Sequence, residues 1–192
     1  IGAARSTEEA LLAFQENFGR LLPPKSQSVT YKPFIEKLLT YTKEHLSESS
    51  LSLKWLANHY LFMNVDYVSK QFYKQTGEKF SAWLNRQRIE KAKELLLNCD
   101  TEKIYTVAEA VGCGNNPQYF SQLFKKETGY TFSDYVNMRR MQIAGERLLE
   151  GAGTEEVSEA VGFESVKSFF RAFKSYYKMS PSAWKKEHSG RN

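Results

Sequence analysis

A chain of 192 residues, 41% of them hydrophobic and 14% aromatic, is long and apolar enough to build cores, which excludes a disordered tail. Its 27 Lys and Arg against 22 Asp and Glu leave a net charge of +5, a mild bias towards polyanions. Its apolar runs fall far short of the roughly 20 residues that cross a bilayer, its N-terminal segment lacks a basic-then-apolar secretory pattern, and Cys99, Cys113, His45, His59 and His188 obey no metal or redox spacing. The expectation is a cytoplasmic protein without cofactor, metal or membrane partner.

In chain order, Ser6-Thr7-Glu8-Glu9 reads as a helix start with acids in the first turn, and Leu11, Phe14, Phe18 and Leu21 follow at helical spacing. Pro23-Pro24 and Lys25-Ser26-Gln27-Ser28 break that helix and read as a linker. Residues 1–30 are therefore expected to be the tail of an upstream, sensory module or a connector to it. Phe34, Ile35, Leu38, Leu39, Tyr41, Thr42 and Leu46 then mark an amphipathic helix that leads into the first of three similar units.

The repeat dominates the rest of the chain. The first copy reads Leu56-Ala57, then Tyr67-Val68-Ser69-Lys70-Gln71-Phe72, Thr76-Gly77 and Phe80-Ser81-Ala82-Trp83. The second has Val107-Ala108-Glu109-Ala110-Val111-Gly112, Tyr119-Phe120-Ser121-Gln122-Leu123-Phe124, Thr128-Gly129 and Phe132-Ser133-Asp134-Tyr135. The third has Val157-Ser158-Glu159-Ala160-Val161-Gly162, Phe169-Phe170-Arg171-Ala172-Phe173 and Pro181-Ser182-Ala183-Trp184. About 50 residues separate matching positions, the length of a helix-turn-helix plus one connecting helix.

In each unit a first helix of about nine residues, a short turn and a second helix of about twelve are expected, with cap chemistry at Asn64, at Asn115-Asn116-Pro117 and at Ser165. Long amphipathic helices from Phe80 to about Asn98 and from Phe132 to about Glu150 then join the units, along the stripes Trp83-Leu84-Ile89-Ala92-Leu95-Leu96 and Tyr135-Val136-Met141-Ala144-Leu148-Leu149. No segment alternates with period two, so the fold class is all-α: tandem homeodomain-like helix-turn-helix units joined by long linker helices. The divisions fall at residues 1–30 for the connector, 31–98 for the first unit with its leading helix, 99–150 for the second, and 151–192 for the third with its basic tail.

In a helix-turn-helix the first helix braces and the second lies in the major groove, so the second must keep one face apolar and offer polar side chains on the other. Val68 and Phe72, Phe120 and Phe124, and Phe169 and Phe173 are the inward pairs. That leaves Asp66, Ser69, Lys70 and Lys74 outward in the first unit, Gln118, Ser121, Gln122 and Lys125 in the second, and Lys167, Phe170, Arg171 and Lys174 in the third. Gln can bond adenine through two atoms, Arg or Lys can pair guanine O6 and N7, and an exposed Phe can touch a thymine methyl. Lys74, Lys125 and Lys174, with Arg86, are the candidate phosphate contacts. From Val166 onward Lys167, Arg171, Lys174, Lys178, Lys185, Lys186 and Arg191 face a single acid, Glu187, which makes this stretch the most basic of the chain.

The stretch from Phe34 to Arg140 resembles the DNA-binding domain of AraC-type transcription regulators, in particular that of YesN-like response regulators of two-component systems. Phe80-Ser81-Ala82-Trp83-Leu84, Arg88-Ile89-Glu90-Lys91-Ala92-Lys93-Glu94-Leu95-Leu96 and Tyr119-Phe120-Ser121-Gln122-Leu123-Phe124-Lys125-Lys126-Glu127-Thr128-Gly129 carry the resemblance. Ala160-Val161-Gly162-Phe163 through Pro181-Ser182-Ala183-Trp184 matches the family's second helix-turn-helix again. The resemblance implies a transcription factor with two such units on a long helix, bound to direct-repeat half-sites of double-stranded DNA. This chain departs from that pattern by a third unit. It also has Tyr177-Lys178 where the other two units have Thr-Gly, and one residue more between Gly112 and Phe120 than between Gly162 and Phe169.

An alternative reading makes one unit a protein-interaction module that docks RNA polymerase or an upstream regulatory domain. Asp66 motivates it, because an acid at the start of a recognition helix repels phosphate unless it reads a cytosine N4 amino group. No nucleophile with its base, metal cluster or phosphate-cradling glycine loop is present, so an enzyme is not expected.

Overall fold

Pro33, which needs no hydrogen-bond donor at the first position of a helix, opens helix α1 (Pro33–Glu44), and Ile35, Leu38 and Thr42 line its buried face. The structure, a computed structural model, describes residues 31–96, 103–114 and 116–188, all but Tyr31 within one unit, Lys32–Asn192. The expected helix from Ser6 to Leu21, the Pro23-Pro24 linker, Asn98, Cys99, Asn115 and Arg191 lie outside the described residues.

Three helix pairs follow. In the first, α2 (Leu53–Leu56) runs directly into a π-helical turn at Ala57–Leu61, and α3 (Val65–Thr76) is its second helix. Linker helix α4 (Phe80–Leu95) leads to the second pair, α5 (Ile104–Ala110) and α6 (Pro117–Thr128). Linker helix α7 (Phe132–Leu149) leads to the third, α8 (Thr154–Ala160) and α9 (Val166–Tyr177), and α10 (Pro181–His188) closes the described chain. No strand forms among the described residues. Each second helix has 12 residues.

The caps explain why those three helices begin and end alike. Asn64 accepts from the Tyr67 amide at 3.0 Å, Asn116 from the Tyr119 amide at 2.9 Å, and Ser165 from the Ser168 amide at 3.2 Å, each satisfying an orphan N–H of the first turn. Gly77 and Gly129 end the first two in the left-handed conformation. In the third, Lys178 takes that conformation at φ 61 and its ammonium donates to the Ser175 carbonyl at 2.7 Å. The turn between paired helices shows the same substitution in reverse. Gly112 and Gly162 stand there at φ 77, whereas the first pair, which has no glycine at that point, places Phe62 at φ 52.

The linker helices are shared walls between neighbouring pairs. Phe80 and Trp83 of α4 pack edge-on against Phe72 of α3, while further along α4 contacts both α5 and α6. The third core gathers Met141, Ala144 and Leu148 of α7, Val157 and Val161, and Phe169, Phe173 and Tyr177 of α9, with Trp184 of α10 packed on it. Leu149, assigned to the stripe of α7 by its spacing, is instead 44% exposed, since it lies about 100° around the helix from Leu148, which takes the buried position in that turn.

Candidate nucleic-acid interface

Two fully buried side chains four residues apart fix the rotation of each second helix. Val68 and Phe72 do so for α3, Phe120 and Phe124 for α6, and Phe169 and Phe173 for α9. An α-helix turns about 100° per residue, so with that stripe held inward the residues between and beside it must face out. Asp66, Ser69, Lys70 and Lys74 are exposed on α3, Gln118, Gln122 and Lys125 on α6, and Lys167, Arg171 and Lys174 on α9, with Phe170 38% exposed beside them.

Two of the proposed contacts are already engaged within the protein. Ser121 is half-buried and its hydroxyl donates to the Pro117 carbonyl one turn back at 2.7 Å, which leaves it only lone pairs to offer a ligand. Arg86 holds Glu78 through both guanidinium ends, one of them at 2.9 Å. Its charge is therefore opposed locally before any phosphate approaches. The described ion pairs lie on α4 or at its start, and Lys70, Lys74, Lys125, Lys167, Arg171 and Lys174 take part in none of them. Their charge faces solvent.

Several residues around these faces escape a reading by period alone. Tyr67, Tyr73 and Tyr119 are exposed on α3 and α6, and the Tyr119 hydroxyl donates to Asn85 of α4 at 3.3 Å, tying the second recognition helix to its linker. Their position next to the inward residues Val68, Phe72 and Phe120 is a usable signal. Lys185, part of the basic run, is turned inward to the Gly151 carbonyl at 3.1 Å, where it caps the end of α7. Nothing local in the sequence separates it from Lys186, which is exposed.

Among the described residues no group of His, Cys, Asp and Glu is placed to hold a metal ion. The Nδ1 atoms of His45, His59 and His188 lie 2.8, 3.0 and 3.0 Å from the carbonyls of Tyr41, Trp55 and Trp184, so each ring is occupied by its own helix. Burial pushes the Cys113 thiol above its ordinary pKa, which disfavours the nucleophilic thiolate. No described helix is long and apolar enough to cross a membrane.

A helix-turn-helix domain family matches residues 113–187, from the turn of the second pair through α10. The uncharacterized transcriptional regulatory protein YesN of Bacillus subtilis is 44% identical over 102 residues, 53% of this chain and 27% of that protein. The C-terminal domain of AraT, a response regulator from Geobacillus stearothermophilus, superposes with a TM-score of 0.52 at 33% identity, covering 55% of this chain and 84% of that one. The chain belongs to the AraC-type helix-turn-helix family. The C-terminal domain of the response regulator yesN from Fusobacterium nucleatum agrees, with a TM-score of 0.51, 32% identity and coverage of 55% of this chain and 99% of that one.

The AraC-type family is one of DNA-binding transcription regulators and not of enzymes. The chain spans about a quarter of the length of YesN, so the activity and partners of a whole regulator are not carried over with the match. Each solved relative covers just over half of this chain, less than the span from Pro33 to His188 that the three pairs occupy. Those domains therefore account for fewer residues than the three pairs occupy, and the family match at residues 113–187 falls on the second and third pairs and leaves α2 and α3 outside it.

Proposed function

We propose that this chain is the output region of a cytoplasmic two-component response regulator and that it reads consecutive major-groove half-sites. The observation that carries the reading is the threefold recurrence of one face: a capped 12-residue helix, rotated by two buried side chains, with exposed cations outside and, on α6, the amides of Gln118 and Gln122 beside them. Gln118, Gln122, Lys167, Phe170 and Arg171 are assigned to bases, with Asp66, Ser69, Lys70 and Ser121 beside them. Lys74, Lys125 and Lys174 are assigned to phosphates, and Arg86 joins them only if it releases Glu78. Linker helices of 16 and 18 residues span roughly 24 and 27 Å, of the order of the roughly 34 Å between successive groove windows on one side of B-DNA once the helix pairs add their own width. Three windows engaged together would bend the duplex at a cost on the order of 1 to 6 kcal/mol. Hydroxyl-radical footprinting on a selected duplex tests the reading: protections one helical turn apart support it, and a single short protection overturns consecutive reading.

A second reading, that the first pair docks RNA polymerase or an upstream regulatory domain, is favoured by the exposed Asp66 in the first turn of α3. Asp66→Asn separates the two. Tighter binding to DNA would place α3 against phosphate, while unchanged DNA affinity with lost transcriptional output would place it against protein.

A further inference from the structure

Arg88 sits in the middle of α4 with only 6% of its surface exposed, and three separate segments converge on its guanidinium. Its Nη2 donates to the carbonyl of Glu48, in the loop that follows α1, at 2.8 Å. The turn of the second helix pair presses in from the other side. A Cβ on Gly112 would lie 3.0 Å from Arg88 Nη2, 3.0 Å from the Ser47 carbonyl carbon and 2.1 Å from the Leu46 carbonyl oxygen. No side chain fits there, and φ 77 at Gly112 disfavours one in any case. The first pair's entry loop, the shared linker and the second pair's turn are thus keyed together around one buried cation. Its Nε is buried without a hydrogen-bond partner among the described residues. A buried cation so placed is a costly way to gain stability, since apolar residues of similar volume often serve as well, and what it supplies is direction.

Part of the arrangement recurs one repeat further on, around an arginine that is half-buried rather than buried. Arg140 occupies the same place on α7, followed by Met141 and Ala144 as Arg88 is followed by Ile89 and Ala92. Its guanidinium lies 5.4 Å from the ring centre of Phe163, the residue after Gly162, as Cys113 is the residue after Gly112. In both junctions an arginine from the linker helix meets the turn of the helix pair that follows it.

We propose that Arg88 and Arg140 are positioning residues that set the angle between successive helix-turn-helix pairs, and through it the half-site spacing that the chain accepts. The second half of the statement rests on the half-site reading proposed above; the first half does not. Two rigidly linked heads gain affinity only when their separation matches that of the sites, and a loosened joint forfeits the gain and broadens the tolerated spacings.

The test uses the full chain with Arg88→Met and Arg140→Met. Without DNA, amide residual dipolar couplings of α3, α6 and α9 are expected to fit one common alignment tensor in the wild type. In R88M those of α3 should need a tensor of their own, and in R140M those of α9. On duplexes carrying paired half-sites at graded separations, each variant should lose about tenfold or more at the best spacing and accept neighbouring spacings, with affinity for a lone half-site kept. Should R88M lose its helical signal, Arg88→Lys is read in the same way, since it keeps the stem and charge but not the fork that reaches Glu48. A single shared tensor and an unchanged spacing profile in R88M and R140M would overturn the proposal. A wild type that selects no half-sites while R88M still splits the tensors would overturn the DNA reading and the spacing role, and leave the angular role standing.

Discussion

The Tyr177 hydroxyl reaches across 36 residues to donate to the Met141 carbonyl at 3.1 Å, and it can do so because Gly145 leaves the surface of α7 bare at that point. A Cβ on Gly145 would sit 2.6 Å from the Tyr177 oxygen and 3.2 Å from its ring, with the Trp184 indole nitrogen 3.5 Å away. Tyr177 cannot simply step aside, because Trp184 packs on it with ring centres 4.0 Å apart and Phe173 lies on its other side at 4.6 Å.

Gly145→Ala is therefore expected to destabilise the third pair although alanine is the better helix former by about 1 kcal/mol. Overpacking of this kind costs about 1 to 3 kcal/mol, enough to outweigh the propensity gain. Urea denaturation followed by tryptophan fluorescence, to which Trp184 contributes, checks it; a variant of raised stability would contradict the packing described.

Tyr177→Phe separates the hydrogen bond from the ring and should cost about 0.5 to 1.5 kcal/mol at neutral pH. It also carries a pH signature. Burial holds the Tyr177 phenol well above its ordinary value of 10.0, so the folded state keeps a proton that the unfolded chain releases. Stability from this group is complete below pH 10 and declines as pH rises from 10 towards the raised folded value. Thermal melts should show a steeper loss above pH 10 in the wild type than in the phenylalanine variant. Equal slopes would mean that Tyr177 is not the buried titrating group.

Replacing a recognition-helix cap should weaken DNA binding without touching a DNA-facing side chain. Asn116→Ala and Ser165→Ala are each expected to cost about 1 kcal/mol of stability, through the lost bonds to the Tyr119 and Ser168 amides. Chemical denaturation and DNA titration on the same samples check this, and a variant with unchanged stability and unchanged affinity would argue against the caps.

Base contacts and phosphate contacts should part on different DNAs. Gln122→Ala and Arg171→Ala are expected to lose about 1 to 3 kcal/mol on a cognate duplex and little on random DNA, while Lys125→Ala weakens both alike and lowers the salt slope by about one. Arg86→Ala should change affinity less than Lys125→Ala, since Glu78 already occupies that guanidinium. Titrations at two salt concentrations on cognate and random duplexes decide all four.

Local chemistry was readable from the chain and distant chemistry was not. Paired aromatics such as Phe120 and Phe124 announce an inward stripe, and Asn64, Asn116 and Ser165 announce helix starts, because both act within one or two helical turns. The left-handed Lys178 and Phe62 could not be read, since the usual glycine signal is missing at both. Ser121 and Arg86 sit on outward faces, yet their engagement depends on rotamers that no spacing encodes. Arg88 looks like any cation on an amphipathic helix until Glu48 and Gly112, far off in sequence, close around it.

The central claim, that the chain reads consecutive half-sites, is tested most directly by selecting the whole protein on randomised duplex DNA at about physiological salt, where nonspecific phosphate binding is weak. The expected result is enrichment of short motifs spaced about 10 to 10.5 base pairs centre to centre. A folded, helical protein that enriches no sequence would contradict the claim.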